Sequence, residues 1–68
     1  MARIPVEIGQ SYHKTGTPYV IWIVDRINEY SDPLHVRLAR LDDPTTQITI
    51  SIDSLTDPRH FRLNPADG

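Results

Sequence analysis

Apolar and polar residues alternate with a period of two along much of this chain. The clearest stretches are Leu34-His35-Val36-Arg37-Leu38-Ala39 and Gln47-Ile48-Thr49-Ile50-Ser51-Ile52. Strict alternation puts every second side chain on one face, which predicts half-buried β-strands. Leu34, Val36, Leu38, Ile48, Ile50 and Ile52 are expected to point inward, and His35, Arg37, Ala39, Gln47, Thr49 and Ser51 outward. The densest apolar run, Tyr19-Val20-Ile21-Trp22-Ile23-Val24, is apolar on both faces and holds the only tryptophan. Trp offers the largest area for burial, so Val20, Trp22 and Val24 are placed inward. Asp25-Arg26 then breaks the pattern, and Ile27 has the opposite parity to Trp22. A bulge near Asp25-Arg26 returns Ile27 to the inside and bends a strand expected to run from about Tyr19 to Tyr30.

Turn residues divide the rest. Gln10-Ser11-Tyr12-His13 reads as a short first strand with Tyr12 inward, and Lys14-Thr15-Gly16-Thr17-Pro18 as the turn after it. Ser31-Asp32-Pro33 and Asp42-Asp43-Pro44-Thr45-Thr46 are the next two turns. Asp53-Ser54-Leu55-Thr56-Asp57-Pro58 is too short for an α-helix. It predicts one 3₁₀ turn capped by Asp53, with Leu55 in the core. Arg59-His60-Phe61-Arg62-Leu63 is the last strand, with Phe61 and Leu63 inward. Residues 1–8 form a lead-in segment in which Ile4, Val6 and Ile8 alternate and Pro5 admits only an edge position. Residues 64–68 form a frayed tail. The sum is an all-β domain over residues 1–68, with five strands and a 3₁₀ turn between strands 4 and 5. Closing such a sheet into a barrel removes its edges.

From about Gly9 to Leu63 this order of elements resembles SH3-like and Tudor-like small barrels. Val24 after Trp22, His35-Val36-Arg37-Leu38 and Asp42-Asp43-Pro44 look like a family of small bacterial proteins of unknown function. That resemblance implies a fold and no activity. Binding of proline-rich peptides is not carried over, because Trp22 has inward parity and no tyrosine pair precedes it. An aromatic cage needs several rings at one barrel end. Tyr12, Tyr19 and Tyr30 are assigned instead to core or rim packing.

Composition narrows the class. The chain has 68 residues, 38% of them hydrophobic and 24% charged, which is the profile of a folded domain rather than a disordered one. A domain of this size buries only about 60% of its unfolded surface and is marginally stable. It contains no cysteine, which excludes disulfides and thiolate metal sites and suits a reducing compartment. No apolar run has the length of a membrane span, and Met1-Ala2-Arg3-Ile4-Pro5 carries no signal core. These features predict a soluble cytoplasmic protein, a monomer or weak homodimer. The net charge of −2 weighs against nonspecific nucleic-acid binding, which is driven by phosphate neutralisation.

Candidate chemistry is sparse. His13, His35 and His60 lie on separate predicted strands without the short spacing of metal ligands, so no metal or other cofactor is expected. Asp42, Asp43, Asp53 and Asp57 sit where turns use Asp to satisfy backbone N–H groups. Ser51 and Ser54 have no nucleophile elbow, and Gly9 and Gly16 make no phosphate loop. A cleft of ~300 Å³ has little room beside so small a core. The expected function is therefore a non-enzymatic protein-interaction module. Its candidate partner face is Tyr19, Ile21 and Ile23, left outward by the parity of Trp22. Two readings of that row are open. Ile4, Val6 and Ile8 fold back over it, which the matching length of the segment favours, or the row is an interface. The alternative function is accessory RNA or DNA binding through Arg37, Arg40, Thr49 and Ser51. Leu41 opposite Gln47 would set Ala39 against Thr49 and Arg37 against Ser51, with Arg40 snorkelling from an inward position. The expected absence of an outward aromatic beside Arg37 weighs against base stacking.

Overall fold

The computed structural model describes residues 6–64. Strand β2 (Thr17–Asn28) is its centre, flanked by β1 (Ser11–Lys14) and β3 (His35–Arg40). Outside these lie β4 (Asp43–Ser51) and β5 (Phe61–Leu63), giving a five-stranded antiparallel sheet of order β4-β3-β2-β1-β5. A single helical turn, α1 (Ile52–Leu55), connects β4 to β5. No ladder joins β4 to β5 among the described residues, so the sheet is not closed. The span between them is occupied by α1, which buries Ile52 and Leu55.

The core is the inner face of this sheet. Val6, Tyr12, Trp22, Val24, Val36, Leu38, Ile52, Leu55 and Phe61 are buried together, and Val20, Ile27, Leu34, Ile48 and Ile50 pack around them. The inward parity of Trp22 and Val24 therefore holds. So does the bulge. The β2–β3 register runs Val24 opposite Leu38, then Arg26 opposite Arg37 and Ile27 opposite Val36, with Asp25 as the extra residue. Were Asp25 instead paired in a regular strand, Ile27 would face out and Arg26 would enter the core, where an unpaired guanidinium is strongly disfavoured.

Several expectations need correction. The β3–β4 register is two residues from the expected one: Ala39 faces Gln47, Arg37 faces Thr49, and His35 faces Ser51. An even shift leaves every side chain on its predicted face. The cause lies at the hairpin. Arg40 pairs with Asp43 across a two-residue tip, and Pro44, Thr45 and Thr46 then bulge out before the ladder resumes. Pro44 has no N–H for the ladder, and the Asp43 carboxylate accepts from both Thr45 Oγ1 (2.6 Å) and Thr46 Oγ1 (2.8 Å). The β1–β2 hairpin repeats the device. Lys14 pairs with Thr17, Pro18, Tyr19 and Val20 bulge, and pairing resumes at His13–Ile21. The expected 3₁₀ turn is an α-turn, since Thr56 N–H donates to Ile52 C=O at 2.9 Å. Its cap is Ser51 rather than Asp53: Ser51 Oγ accepts Ser54 N–H at 3.2 Å. Ile52 is thus helical, though still buried as expected.

The two ends of the chain also differ from expectation. Leu63 sits opposite Tyr12 with inward parity, yet it is 52% exposed because β5 is a three-residue edge strand. Val6 enters the core instead of covering the outer face, and Ile8 is 67% exposed. Gly9, at φ 95°, turns the chain so that its N–H reaches Val24 C=O. Ile4 and Pro5, and the tail from Pro65 onward, lie outside the described residues. Two stability tests follow from this core. Trp22→Ala is expected to cost ~3–5 kcal/mol and Leu55→Ala ~2–5 kcal/mol in urea melts. Leu63→Ala, half exposed, is expected to cost under about 1 kcal/mol. An equal loss at Leu55 and Leu63 would contradict the placement of the core beneath α1.

Candidate functional site

The outer face of β2 changes character along its length. Before the bulge it is apolar. Ile23 lies between Ser11 and Ala39, and Ile21 lies between His13 and Leu41, whose N–H donates to Ile21 C=O at 2.9 Å. Tyr19, two residues earlier, is 81% exposed, and Leu41 is exposed as well. Tyr19, Ile21 and Ile23 thus sit where parity placed them, and Leu41 joins them. Leu41 was missed because the tip of the hairpin was assigned too far along the chain.

After the bulge the outer face is cationic and polar. Arg26, Arg37 and Thr49 form one cross-strand row, and Asn28, His35 and Ser51 the next. Arg26, Arg37 and Thr49 of the first row, Asn28 and His35 of the second, and Tyr30 border a groove of about 380 Å³. Arg37 donates from Nε (2.9 Å) and Nη2 (2.6 Å) to Asp25 Oδ2. The face proposed from sequence divides here. Arg37 and Thr49 are together, but Ser51 is spent on the α1 cap. Arg40 stands at the hairpin end, bonded to the Asp42 carboxylate at 2.6 and 3.2 Å. Tyr30, at 97% exposure, borders the same groove as Arg37. Its position is set by the turn: Tyr30 N–H donates to Asn28 Oδ1, and Ser31 Oγ donates to Asn28 C=O and accepts His35 N–H.

A second groove, of about 450 Å³, lies at the β1–β5 end, floored by Tyr12, Leu55 and Phe61. Both grooves lie open to solvent on the surface of the sheet. The tyrosines do not converge: Tyr12 is buried, which raises its pKa, and Tyr19 and Tyr30 lie on opposite sides of the bulge. The histidines stay apart too. His13 Nδ1 meets Asn64 Oδ1 at 2.6 Å, His35 Nδ1 meets Pro33 C=O at 2.7 Å, and His60 lies near Asp57. No group of three metal-binding side chains occurs among the described residues. No helix there is long and apolar enough to cross a membrane.

No known protein family, curated protein or solved structure matches this chain. What the structure shows is a small five-stranded antiparallel β fold.

Of the turn carboxylates, Asp43 and Asp57 hold their turns, Asp42 instead binds Arg40, and Asp53 does not cap α1. Hydrogen bonds from Thr45 and Thr46 lower the pKa of Asp43. Asp57 accepts Arg59 N–H at 3.0 Å and the Arg59 guanidinium at 2.9 Å, and these bonds hold its pKa at about 2 against an ordinary 3.8. The turn is anchored in addition by Thr15, whose N–H and Oγ1 donate to His60 and Arg59 carbonyls. A carboxyl whose pKa is depressed on folding contributes stability above its unfolded value and loses it as pH falls through the folded one. Folding stability is expected to decline between pH 3.8 and about 2 in part through Asp57. Urea melts across this range check it: Asp57→Asn should show a shallower acid limb than the wild type.

Proposed function

We propose that this chain is a non-enzymatic, SH3-like module that docks a partner protein through the outer face of β2 and β3. The SH3-like reading is supported by the strand order β4-β3-β2-β1-β5, the long bent β2, and the helical turn between the last two strands. The docking reading rests on one observation. Tyr19, Ile21, Ile23 and Leu41 form a contiguous apolar strip, and neither Val6 nor Ile8 covers it. A strip of this kind bordered by polar residues is the usual mark of an interaction surface. It is flanked by His13 on one side and by Gln47 beyond Ala39 on the other.

The non-enzymatic reading rests on the side chains. Each described carboxylate with a hydrogen bond is engaged by a turn or an arginine, and the histidines are dispersed. The interaction reading is tested by quantitative affinity capture from a lysate of the source organism. Wild type is compared with Ile21→Ser/Ile23→Ser, and circular dichroism verifies the fold. Loss of a captured protein with retention of the fold is the expected result. An unchanged set of captured proteins would remove this face from consideration. Light scattering on both proteins separates a foreign partner from a second copy of the chain.

A further inference from the structure

The row after the bulge contains an unfavourable pairing. Arg26 and Arg37 are directly opposed across the β2–β3 ladder. Side chains so placed have Cβ atoms about 5 Å apart, and like charges there repel. Asp25 compensates only one of them, through two hydrogen bonds to the Arg37 guanidinium. Arg26 is exposed and makes no ion pair among the described residues. A sheet carrying two opposed guanidinium groups and one carboxylate is one negative charge short.

The groove that they border is rich in donors. Arg37 Nη1 is unused by Asp25, Asn28 spends only its Oδ1 on Tyr30 N–H, and the Thr49 hydroxyl has no partner among the described residues. His35 Nδ1 lies 2.7 Å from the Pro33 carbonyl, which can only accept, so the proton resides on Nδ1. Tyr30 adds an exposed ring, carried on a backbone fixed by the Asn28–His35 turn. Guanidinium groups suit phosphate oxygens, amide and hydroxyl donors add to them, and an exposed ring suits a base.

We propose that this groove binds single-stranded nucleic acid, with a phosphodiester between Arg26 and Arg37 and an adjoining base stacked on Tyr30. The net charge of the chain is −2, so attraction comes from this row alone and affinity is modest and salt-dependent. The site shares no residue with the apolar strip proposed for protein docking, so either assignment stands without the other.

The test is fluorescence anisotropy of the full chain with short fluorescein-labelled single-stranded RNA and DNA over a series of salt concentrations. Neutralisation of one phosphate gives a slope of log affinity against log salt of about −0.7, and Arg26→Ala weakens binding and flattens that slope. Tyr30→Ala raises Kd roughly five- to a hundredfold through loss of stacking. Arg59→Ala, which alters a guanidinium bound to Asp57, leaves Kd unchanged. Arg26 and Tyr30 are exposed, and near-ultraviolet circular dichroism confirms that their variants keep the Trp22 environment. Absence of binding at low salt overturns the proposal. So does binding that is indifferent to both Arg26→Ala and Tyr30→Ala. Displacement of the oligonucleotide by oligoglutamate at equal charge, with no effect of Tyr30→Ala, also overturns it and assigns the groove to an acidic peptide.

Discussion

β2 is hydrogen-bonded to β1 along one side and to β3 along the other, and it must serve both with a sequence whose hydrophobic parity reverses halfway. One extra residue, Asp25, reconciles the two halves. It keeps Trp22, Val24 and Ile27 on the inner face and sends Arg26 out. The alternative is not a small adjustment. A regular β2 would set a guanidinium against Val36 and Leu38, among the most deeply buried residues of the core. The extra residue is also useful in itself, since its carboxylate binds Arg37 on the neighbouring strand.

The same residue divides the outer face chemically. On one side of it Ile21 and Ile23 stand beside Ala39 and Leu41. On the other, Arg26 stands beside Arg37 and Thr49. Two surfaces of contrasting character thus arise from a single strand, and neither requires a specialised loop. The loops have another task. Ser51 caps α1, Asp43 binds the two threonines of its hairpin, and Asp57 gathers Arg59 and the backbone ahead of β5. These short polar contacts let a small core be sealed at its ends without a longer helix.

Most of the sheet was legible because a period of two is a local signal. Leu34 to Leu38 and Ile48 to Ile50 needed only alternation, and the bulge needed only the misplaced parity of Ile27. Register was less accessible. Alternation fixes faces but is blind to an even shift, so Arg37 was set against Ser51 instead of Thr49. Ser51 as a cap was hidden by Asp53, an equally good capping residue two positions on. Leu63 and Ile8 show a further limit. Parity tells which way a side chain points, but burial depends on whether a neighbouring element reaches it. Tyr30 was missed as part of the groove because a turn, not a strand, places it there.

The repeated hairpin construction has a bearing on motion. In both hairpins a closing pair, Lys14–Thr17 or Arg40–Asp43, lies beyond a three-residue bulge that begins with proline. Each tip is therefore joined to the main ladder through a segment with fewer backbone bonds. Such segments open at a lower free energy than the sheet itself. Tyr19 belongs to one of these segments, whereas Ile21 and Ile23 belong to the uninterrupted ladder and Leu41 is bonded to it through Ile21 C=O. The apolar strip thus has a stiff body and one yielding margin, at Tyr19. It can hold one orientation of a bound surface while that margin settles against the surface's particular shape.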